Sequence, residues 1–205
     1  MSRRGALPRA FYARPTLDVA ADLIGAFLVH QRRGVRTTGR IVEVEAYIGE
    51  SDPACHAAPG PTPRNQPLYG APGVAYVYLN YGIHCLVNVV TEAEGCPAAV
   101  LIRALEPVEG LAAMRRRRAR RARGRRLGSG HVGDAALCRG PGNVTTAMAI
   151  TLAENRVDLT GPRLFVEARR GPRLAVTWGP RIGIRKGTER PWRAYVAGNP
   201  AVSGA

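Results

Sequence analysis

Several carboxylates, a tyrosine and a histidine lie close together in the stretch EVEAYIGESDPACHA, residues 43–57. In a strand, period-two alternation places Glu43, Glu45 and Tyr47 on one face. The opposite, core-facing side then takes the apolar residues Val42, Val44, Ala46 and Ile48. A positioned carboxylate can remove a proton from water, an effect typically worth about 10²–10⁴ in rate. We expect Glu43 to be solvated, whereas Glu45, with Tyr47 and His56 nearby, is either solvated or part of a site.

A second group of rings lies in the segment VAYVYLNYGIHCLVNVV, where two strand-like runs flank the turn signal LNYG. Tyr76 and Tyr78 share one face of the first run, and His84 and Asn88 share one face of the second. Tyr81 falls at the hairpin tip, where a large ring is poorly placed to join the core. Two interpretations stand: a turn residue folded back onto the sheet, or a wedge that separates stacked bases.

Arg103 stands among apolar neighbours in the strand-like run AAVLIRALEP. A buried guanidinium is costly without a partner. We therefore expect Arg103 to face a carboxylate, a ligand or solvent, and Glu45 is a candidate partner.

A long loop rich in proline and glycine, ESDPACHAAPGPTPRNQPLYGAPG, follows the glutamate-bearing strand. Loops of this length in compact domains are usually functional or disordered. Its TPRN sequence could offer donors to a phosphate from Thr62, Arg64 and Asn65. An ordinary surface loop would look the same.

The chain has 205 residues, a formal net charge of +15 and a sequence pI near 11.0. Such a charge predicts a polyanionic partner, with nucleic acid first and an anionic membrane second. No long apolar run or basic amphipathic helix favours the membrane, and a generally basic proteome is the remaining explanation. Lys186 is the only lysine, so arginine, which suits bidentate phosphate contacts, carries the charge.

The densest charge follows PVEGLAAM, which begins as a helix and continues into the run RRRRARRARGRR. Residues 115–130 are therefore either a basic loop or a helix extension. The run is either solvated or disordered, as is usual for such blocks, or an arm that binds phosphates with little sequence preference.

Metal, cofactor and covalent chemistries are not indicated. The four cysteines are far apart, without the pairs that a zinc site or a disulfide framework would need, so we expect reduced thiols and no metal. The sequence has no P-loop, no H-E-x-x-H and no G-x-S-x-G. No secretory signal is expected, since the basic N-terminus lacks a following apolar region. The carboxylate, histidine, tyrosines and arginine that remain suit hydrolysis by water.

The surrounding elements fit one mixed α+β domain over residues 1–205, in which residues 1–10 are either ordered or disordered. PTLDVAADLIG is predicted as a helix capped by Thr16, AFLVHQRR as a strand, and GVRTTG as the turn into the glutamate-bearing strand. LCRGPGNVTTAMAI is predicted to enter a helix near Asn143 or Val144. The C-terminal part is predicted to be strand-rich.

The motifs RIVEVEAYIGESDPACHA, TPRN, GVAYVYLNYGIHCLVNVV, VLIRALEPVEGL and LCRGPGNV together resemble the alkyladenine (3-methyladenine, or N-methylpurine) DNA glycosylase family. The similarity runs from about Pro15 into the C-terminal strands. It implies an α+β single domain with a curved, mostly antiparallel β-sheet flanked by helices and a protruding β-hairpin. It also implies a base-excision repair enzyme that acts as a monomer, without a cofactor, on double-stranded DNA containing a damaged purine. The expected location is the cytoplasm of a bacterium, associated with the nucleoid.

The resemblance assigns roles to residues that match the family's motifs. Glu45 matches the general base that activates water, and Arg103 matches the arginine that orients it. Pocket residues that contact the flipped base are matched by Tyr47, His56, Tyr78 and Asn88, of which Asn88 disfavours the amino group of guanine. Tyr81 matches the intercalating ring, and Arg64 and Asn65 are expected at the DNA backbone.

The resemblance also implies that a backbone carbonyl near RIGIR holds the water. His84 stands where some relatives carry a tyrosine, which leaves the hairpin's contact with the opposite strand open. The alternative function is a non-enzymatic, basic nucleic-acid-binding protein.

Overall fold

The structure is a computed structural model that describes residues 5–124 and 132–204. Within these ranges, helices pack against a curled antiparallel sheet, so the predicted α+β class with a curved sheet is confirmed. The described α-helices are α1 Arg9–Tyr12, α2 Thr16–Leu23, α3 Leu111–Gly124 and α4 Pro141–Met148. The described strands are β1 Phe27–Arg32, β2 Val35–Ile48, β3 Ala75–Asn80, β4 His84–Val90, β5 Ala98–Glu109, β6 Leu164–Glu167, β7 Thr177–Gly179 and β8 Arg193–Tyr195.

Six strands form the sheet in the order β3-β4-β5-β2-β1-β6, and each neighbouring pair is antiparallel. The β3–β4 hairpin is therefore at one edge of the sheet. β7 pairs with β8, and β8 pairs with β2. The strand-rich C-terminal part that was predicted is thus reduced to three short strands.

Strand β2 carries the two glutamates and is enclosed along both edges. β5 pairs along one edge, whereas β1 covers the other edge only as far as Arg40. β8 then covers that second edge at Glu43, Val44 and Glu45. The C-terminal part of the chain is thereby brought directly beside the glutamates.

A β-bulge breaks the predicted alternation of β2. Register shifts against β5 flank Glu43. Val44 packs in the main core, but Val42 packs in a separate cluster with Ala104 and Ala201. The prediction that Val42 and Val44 share a face is wrong, because the bulge adds one residue to the strand.

Several element ends differ from their predicted positions. The turn between β1 and β2 is only Arg33-Gly34, with φ of 50° and 74°, so VRTTG belongs to β2. PVE, predicted to begin a helix, ends β5. Helix α4 starts at Pro141, because proline is well suited to the first helical turn.

Thr16 is the first residue of α2 and not its cap, since Pro15 holds the capping position and its ring can accept no hydrogen bond from the helix N–H groups. The Thr16 hydroxyl instead donates to Glu92 Oε1 at 2.6 Å. The helix packs into the core through Val19, Ala20 and Leu23. The predicted helix is present, but it is anchored by a contact distant in sequence.

Three stretches of the predicted domain lie outside the described residues: 1–4, 125–131 and 205. After the first of them, Ala6 bridges to Glu167 and α1 begins at Arg9. The described part of the arginine run is helical and belongs to α3. None of the helices described is long and apolar enough to cross a membrane.

Candidate active site

A cavity of about 360 Å³ lies between β2, the β3–β4 hairpin and the segment after β7. This volume is within the range typical of small-molecule pockets, about 300–1,000 Å³. The lining includes six of the predicted site residues: Tyr47, His56, Tyr78, Tyr81, Asn88 and Arg103. The fold therefore brings together side chains that lie on four strands and two loops.

Glu45 is fully buried behind the wall of this cavity. The Tyr47 hydroxyl donates to its Oε2 at 2.7 Å, and the Ile182 N–H donates to its Oε1 at 2.6 Å. Arg103 Nη1 lies 3.1 Å from the same Oε1, so the pairing of Arg103 with Glu45 that the sequence suggested is present. The two side chains that hold the carboxylate, Tyr47 and Arg103, also line the cavity.

Glu43 is fully buried, which corrects the prediction that it is solvated. Its Oε1 accepts from Arg103 Nε at 3.0 Å and from Arg193 Nη1 at 3.1 Å. Its Oε2 accepts from the Ser203 N–H at 2.7 Å. Because β8 and the C-terminal segment cover this face of β2, the carboxylate needs partners, and the two glutamates and two arginines balance in charge.

A second buried ion pair fixes the segment that contacts Glu45. Arg181 Nη1 and Nη2 donate to the two Asp52 oxygens at 2.5 and 2.8 Å, and both side chains are fully buried. The guanidinium also lies over the Tyr47 ring, 4.8 Å from its centroid. Burial raises the pKa of Asp52, but the hydrogen bonds and charge of Arg181, together with the N–H groups of Ala54 and Ile48, outweigh it and hold that pKa below its usual value. The pair therefore anchors the backbone immediately before Ile182.

Aromatic rings form one wall of the cavity. The His56 ring packs edge-on against Tyr78 with centroids 4.4 Å apart, and its Nδ1 lies 2.9 Å from the Tyr76 hydroxyl. Burial, followed by the nearby Arg64 charge, lowers the pKa of His56, so the ring is neutral near pH 7. Burial raises the pKa of Tyr76 to about 12 and also raises the pKa of Tyr78. The wall is thus uncharged and rich in π-faces.

Tyr81 is 86% exposed at the tip of the β3–β4 hairpin, with φ of 48°. The ring is not folded back onto the sheet, so the first of the two interpretations drawn from the sequence is wrong. Tyr81 lies at the cavity and also borders a neighbouring groove with Lys186. The tip therefore presents a large ring to solvent beside the cavity.

Asn88 lies opposite Tyr76 in the β3–β4 register and is buried at the cavity. Its Nδ2 donates to the Tyr76 carbonyl at 3.0 Å. The amide is consequently fixed in orientation.

Arg64 and Asn65 are placed differently from each other. Arg64 is exposed and lies over the Tyr78 ring, 5.8 Å from its centroid. Asn65 is buried, and its Nδ2 donates to the carbonyls of His56 and Gly60 at 2.7 and 2.8 Å. The expectation that the Asn65 side chain reaches DNA is corrected, because both amide hydrogens hold the loop in place.

A sequence profile of the family described as methylpurine-DNA glycosylase (MPG) matches residues 10–200. The chain belongs to this family. A protein of Bradyrhizobium diazoefficiens named "Putative 3-methyladenine DNA glycosylase" is 50% identical over 198 residues, which cover 96% of this chain and 90% of the relative. A Myxococcus xanthus protein of the same name is 47% identical over 201 residues, covering 96% and 93%. The chain is thus a DNA-3-methyladenine glycosylase family enzyme of base-excision repair, and its family implies a damaged DNA substrate.

In this member of the methylpurine-DNA glycosylase family, four residues hold the site in ways that the sequence did not predict: Glu43, Asp52, Arg181 and Arg193. Asp52 and Arg181 are 129 positions apart, so no local pattern could pair them. The sequence signal for cationic partners was the pair of glutamates on β2, because two carboxylates on one face of a buried strand need cations. In the part of the chain that the structure describes, no group of three or more His, Cys, Asp or Glu side chains could hold a metal ion.

Proposed function

We propose that this enzyme flips a damaged purine out of duplex DNA into the cavity and hydrolyses its N-glycosidic bond with an activated water. The substrates are of the 3-methyladenine, 7-methylguanine, hypoxanthine or ethenoadenine class, and the product is an abasic site. The single observation that carries the proposal is the position of Glu45. Its carboxylate is held by Tyr47 and Arg103 directly behind a cavity walled by aromatic rings.

The contacts of Glu45 with described residues leave one acceptor site of its carboxylate unused. Each carboxylate oxygen offers about two acceptor sites. Oε1 is contacted by the Ile182 N–H and by Arg103, whereas Oε2 accepts only the Tyr47 hydroxyl among the described residues. The remaining site on Oε2 can accept a water proton, and Arg103 at the cavity can orient the same water. The carboxylate charge also stabilises the oxocarbenium-like sugar that forms as the bond breaks.

The cavity wall suits a damaged purine. Alkylated purines often carry positive charge, and each aromatic face is worth roughly 0.5–2 kcal/mol to a bound cation. A neutral His56 does not repel that charge, and its packing on Tyr78 gives the base a firm stacking surface. The amide of Asn88, held at the cavity by the Tyr76 carbonyl, is proposed to disfavour guanine's exocyclic amino group. Exposed Arg64 is proposed to contact the DNA backbone.

Hydrolysis by water leaves no covalent intermediate on the enzyme. Lys186 is the only lysine, and it is exposed beside Tyr81, whereas nucleophilic lysines need a desolvated amine or a cationic neighbour held close. We expect base release without strand cleavage and no borohydride-trapped complex. A trapped species would show that the enzyme is not monofunctional.

The test is Glu45→Gln in a base-release assay on duplexes that contain each lesion class. The variant should bind lesion DNA as the wild type does and release base about 10²–10⁴-fold more slowly. Glu109→Gln makes the same change at a half-exposed glutamate near the far end of β5 and should leave the rate unchanged. Wild-type turnover by Glu45→Gln would remove Glu45 from the role of base. Equal affinity for damaged and undamaged DNA, together with no base release, would favour a binding protein.

A further inference from the structure

The arginine run of α3 reaches the hairpin that carries Tyr81. Arg121 Nη2 donates to the Ile83 carbonyl at 2.5 Å and lies 3.0 Å from His84 Nδ1. Its Nη1 donates to Thr146 Oγ1 of α4 at 2.9 Å. One guanidinium therefore joins the hairpin turn, α3 and α4.

Helix α4 supports the same part of the hairpin from another side. The His84 ring packs directly on the Gly142 backbone, where an added Cβ would lie within 2.7 Å of His84 Cγ. Thr145 Oγ1 donates to the Cys85 carbonyl at 2.6 Å. The start of β4 is thus held at Ile83, His84 and Cys85 in succession, immediately after the exposed tip.

The other arginines of α3 do not share this role. Arg117 Nη1 donates to the Ala147 carbonyl at 2.7 Å, and Arg118 Nη1 donates to the Leu137 carbonyl at 2.7 Å. Arg120 is exposed and makes no hydrogen bond or ion pair with any residue that the structure describes. Arg121 is therefore the arginine of this stretch, 117 to 121, that connects the helix to the hairpin.

A protruding hairpin needs such support if its tip is to act as a wedge. An isolated pair of strands is only marginally stable, and separating stacked bases costs free energy. A tip that bends away from the duplex would relieve that cost without flipping the base. Contacts that stiffen the turn next to Tyr81 therefore favour the flipped state over a bent hairpin.

We propose that Arg121 is a positioning residue for base flipping, which braces the β3–β4 turn so that Tyr81 enters the duplex as a fixed wedge. The inference rests on the proposed function, and within it on the role of Tyr81. It also gives His84 a function in this chain: with its ring between Gly142 and Arg121, it is part of the brace.

The experiment compares single-turnover base release from one lesion in two settings, opposite its pairing base and opposite an abasic site. The paired lesion must be both unpaired and unstacked, whereas the lesion opposite an abasic site has no pairing to lose and costs less to flip. Arg121→Ala should slow release of the paired lesion by about tenfold, the factor expected for one charge-assisted hydrogen bond, and release of the unpaired lesion by less than about threefold. Arg120→Ala, which removes the same charge one residue away at an exposed position, should leave both single-turnover rates unchanged.

Gly142→Ala provides a charge-neutral second variant, since its methyl group would displace the His84 ring. It should reproduce the selective loss on the paired lesion. Equal losses on paired and unpaired lesions in Arg121→Ala, or wild-type rates in both settings, would overturn the inference. Tyr81→Ala is measured alongside: a selective loss there but not in Arg121→Ala refutes only the brace. A wild-type protein that releases no base overturns the proposed function and the brace together.

Discussion

The buried pair between Arg181 and Asp52 links the stability of the fold to the position of the Glu45 carboxylate. Asp52→Asn keeps the shape of the side chain but leaves the Arg181 guanidinium without a counter-ion. Both side chains are fully buried and joined through two hydrogen bonds, at 2.5 and 2.8 Å. Removing one partner from such a pair typically costs about 3–5 kcal/mol, because an uncompensated charge remains in the interior.

This cost should be visible as a lower melting temperature and a slower reaction. For a chain of this size, 1 kcal/mol corresponds to about 2–4 °C, so Asp52→Asn should melt about 6–20 °C lower. Arg181 precedes Ile182, whose N–H donates to Glu45 Oε1 at 2.6 Å. A shift of that segment should lower the single-turnover rate of base release by roughly tenfold to a hundredfold.

The matched control makes the same atomic change at a solvent-exposed pair. Asp158 bonds Arg9 at 2.7 Å, but the two side chains are 50% and 42% exposed. Such pairs contribute at most about 1 kcal/mol, so Asp158→Asn should melt within about 4 °C of the wild type. Equal melting temperatures for the two variants would refute the reasoning. The double variant Asp52→Asn with Arg181→Met should be less destabilised than the sum of its single changes, because the unpaired cation is gone.

Tyr81 is 86% exposed, so Tyr81→Ala should leave the melting temperature unchanged. The variant should slow release of a paired lesion more than release of an unpaired one, and equal slowing of both would argue against the wedge. Burial lowers the pKa of His30 from its ordinary value of 6.5, so below that pH the unfolded chain binds a proton that the folded protein excludes. The free energy of unfolding from urea titrations should therefore fall as the pH is lowered below about 6.5. His30→Gln should reduce that fall, and an unchanged slope would show that another group causes it.

Alternation along β3 and β4 could be predicted from the sequence because both strands keep a continuous register. Tyr76 pairs with Asn88, and Tyr78 pairs with Leu86, so the rings and the amide share the face that the period-two pattern gave them. Val77, between the two tyrosines, packs in the main core. Side-chain direction in an unbroken hairpin is a local property, and local properties are what a sequence pattern reports.

The surroundings of Glu43 could not be predicted in this way. A polar residue alternating with valines is typical of a strand with one solvated face. In this protein, the face of β2 that the pattern predicts to be solvated is covered by a segment much later in the chain. Arg193 and Ser203, which bind the Glu43 carboxylate, are 150 and 160 positions away from Glu43. The bulge at Glu43 is a second effect that the sequence pattern does not show. It turns the Val42 side chain to the opposite face of the strand, and no glycine or proline at Val42 or Glu43 indicates a bulge. Both features depend on which segment packs against β2.

Composition alone cannot show which arginines of the run in α3 bind the rest of the protein and which are exposed. A block of like charges usually indicates a solvated or disordered segment, yet Arg117 and Arg118 donate to backbone carbonyls inside the protein. The Arg117 bond ends on Ala147, in the last turn of α4, where a cation compensates the negative end of the helix. Helical spacing puts Arg121 one turn further along the same side, at the hairpin, and leaves Arg116 and Arg120 exposed. The described arginines of this helix therefore differ in role: Arg117, Arg118 and Arg121 bind other parts of the fold, whereas Arg116 and Arg120 face solvent.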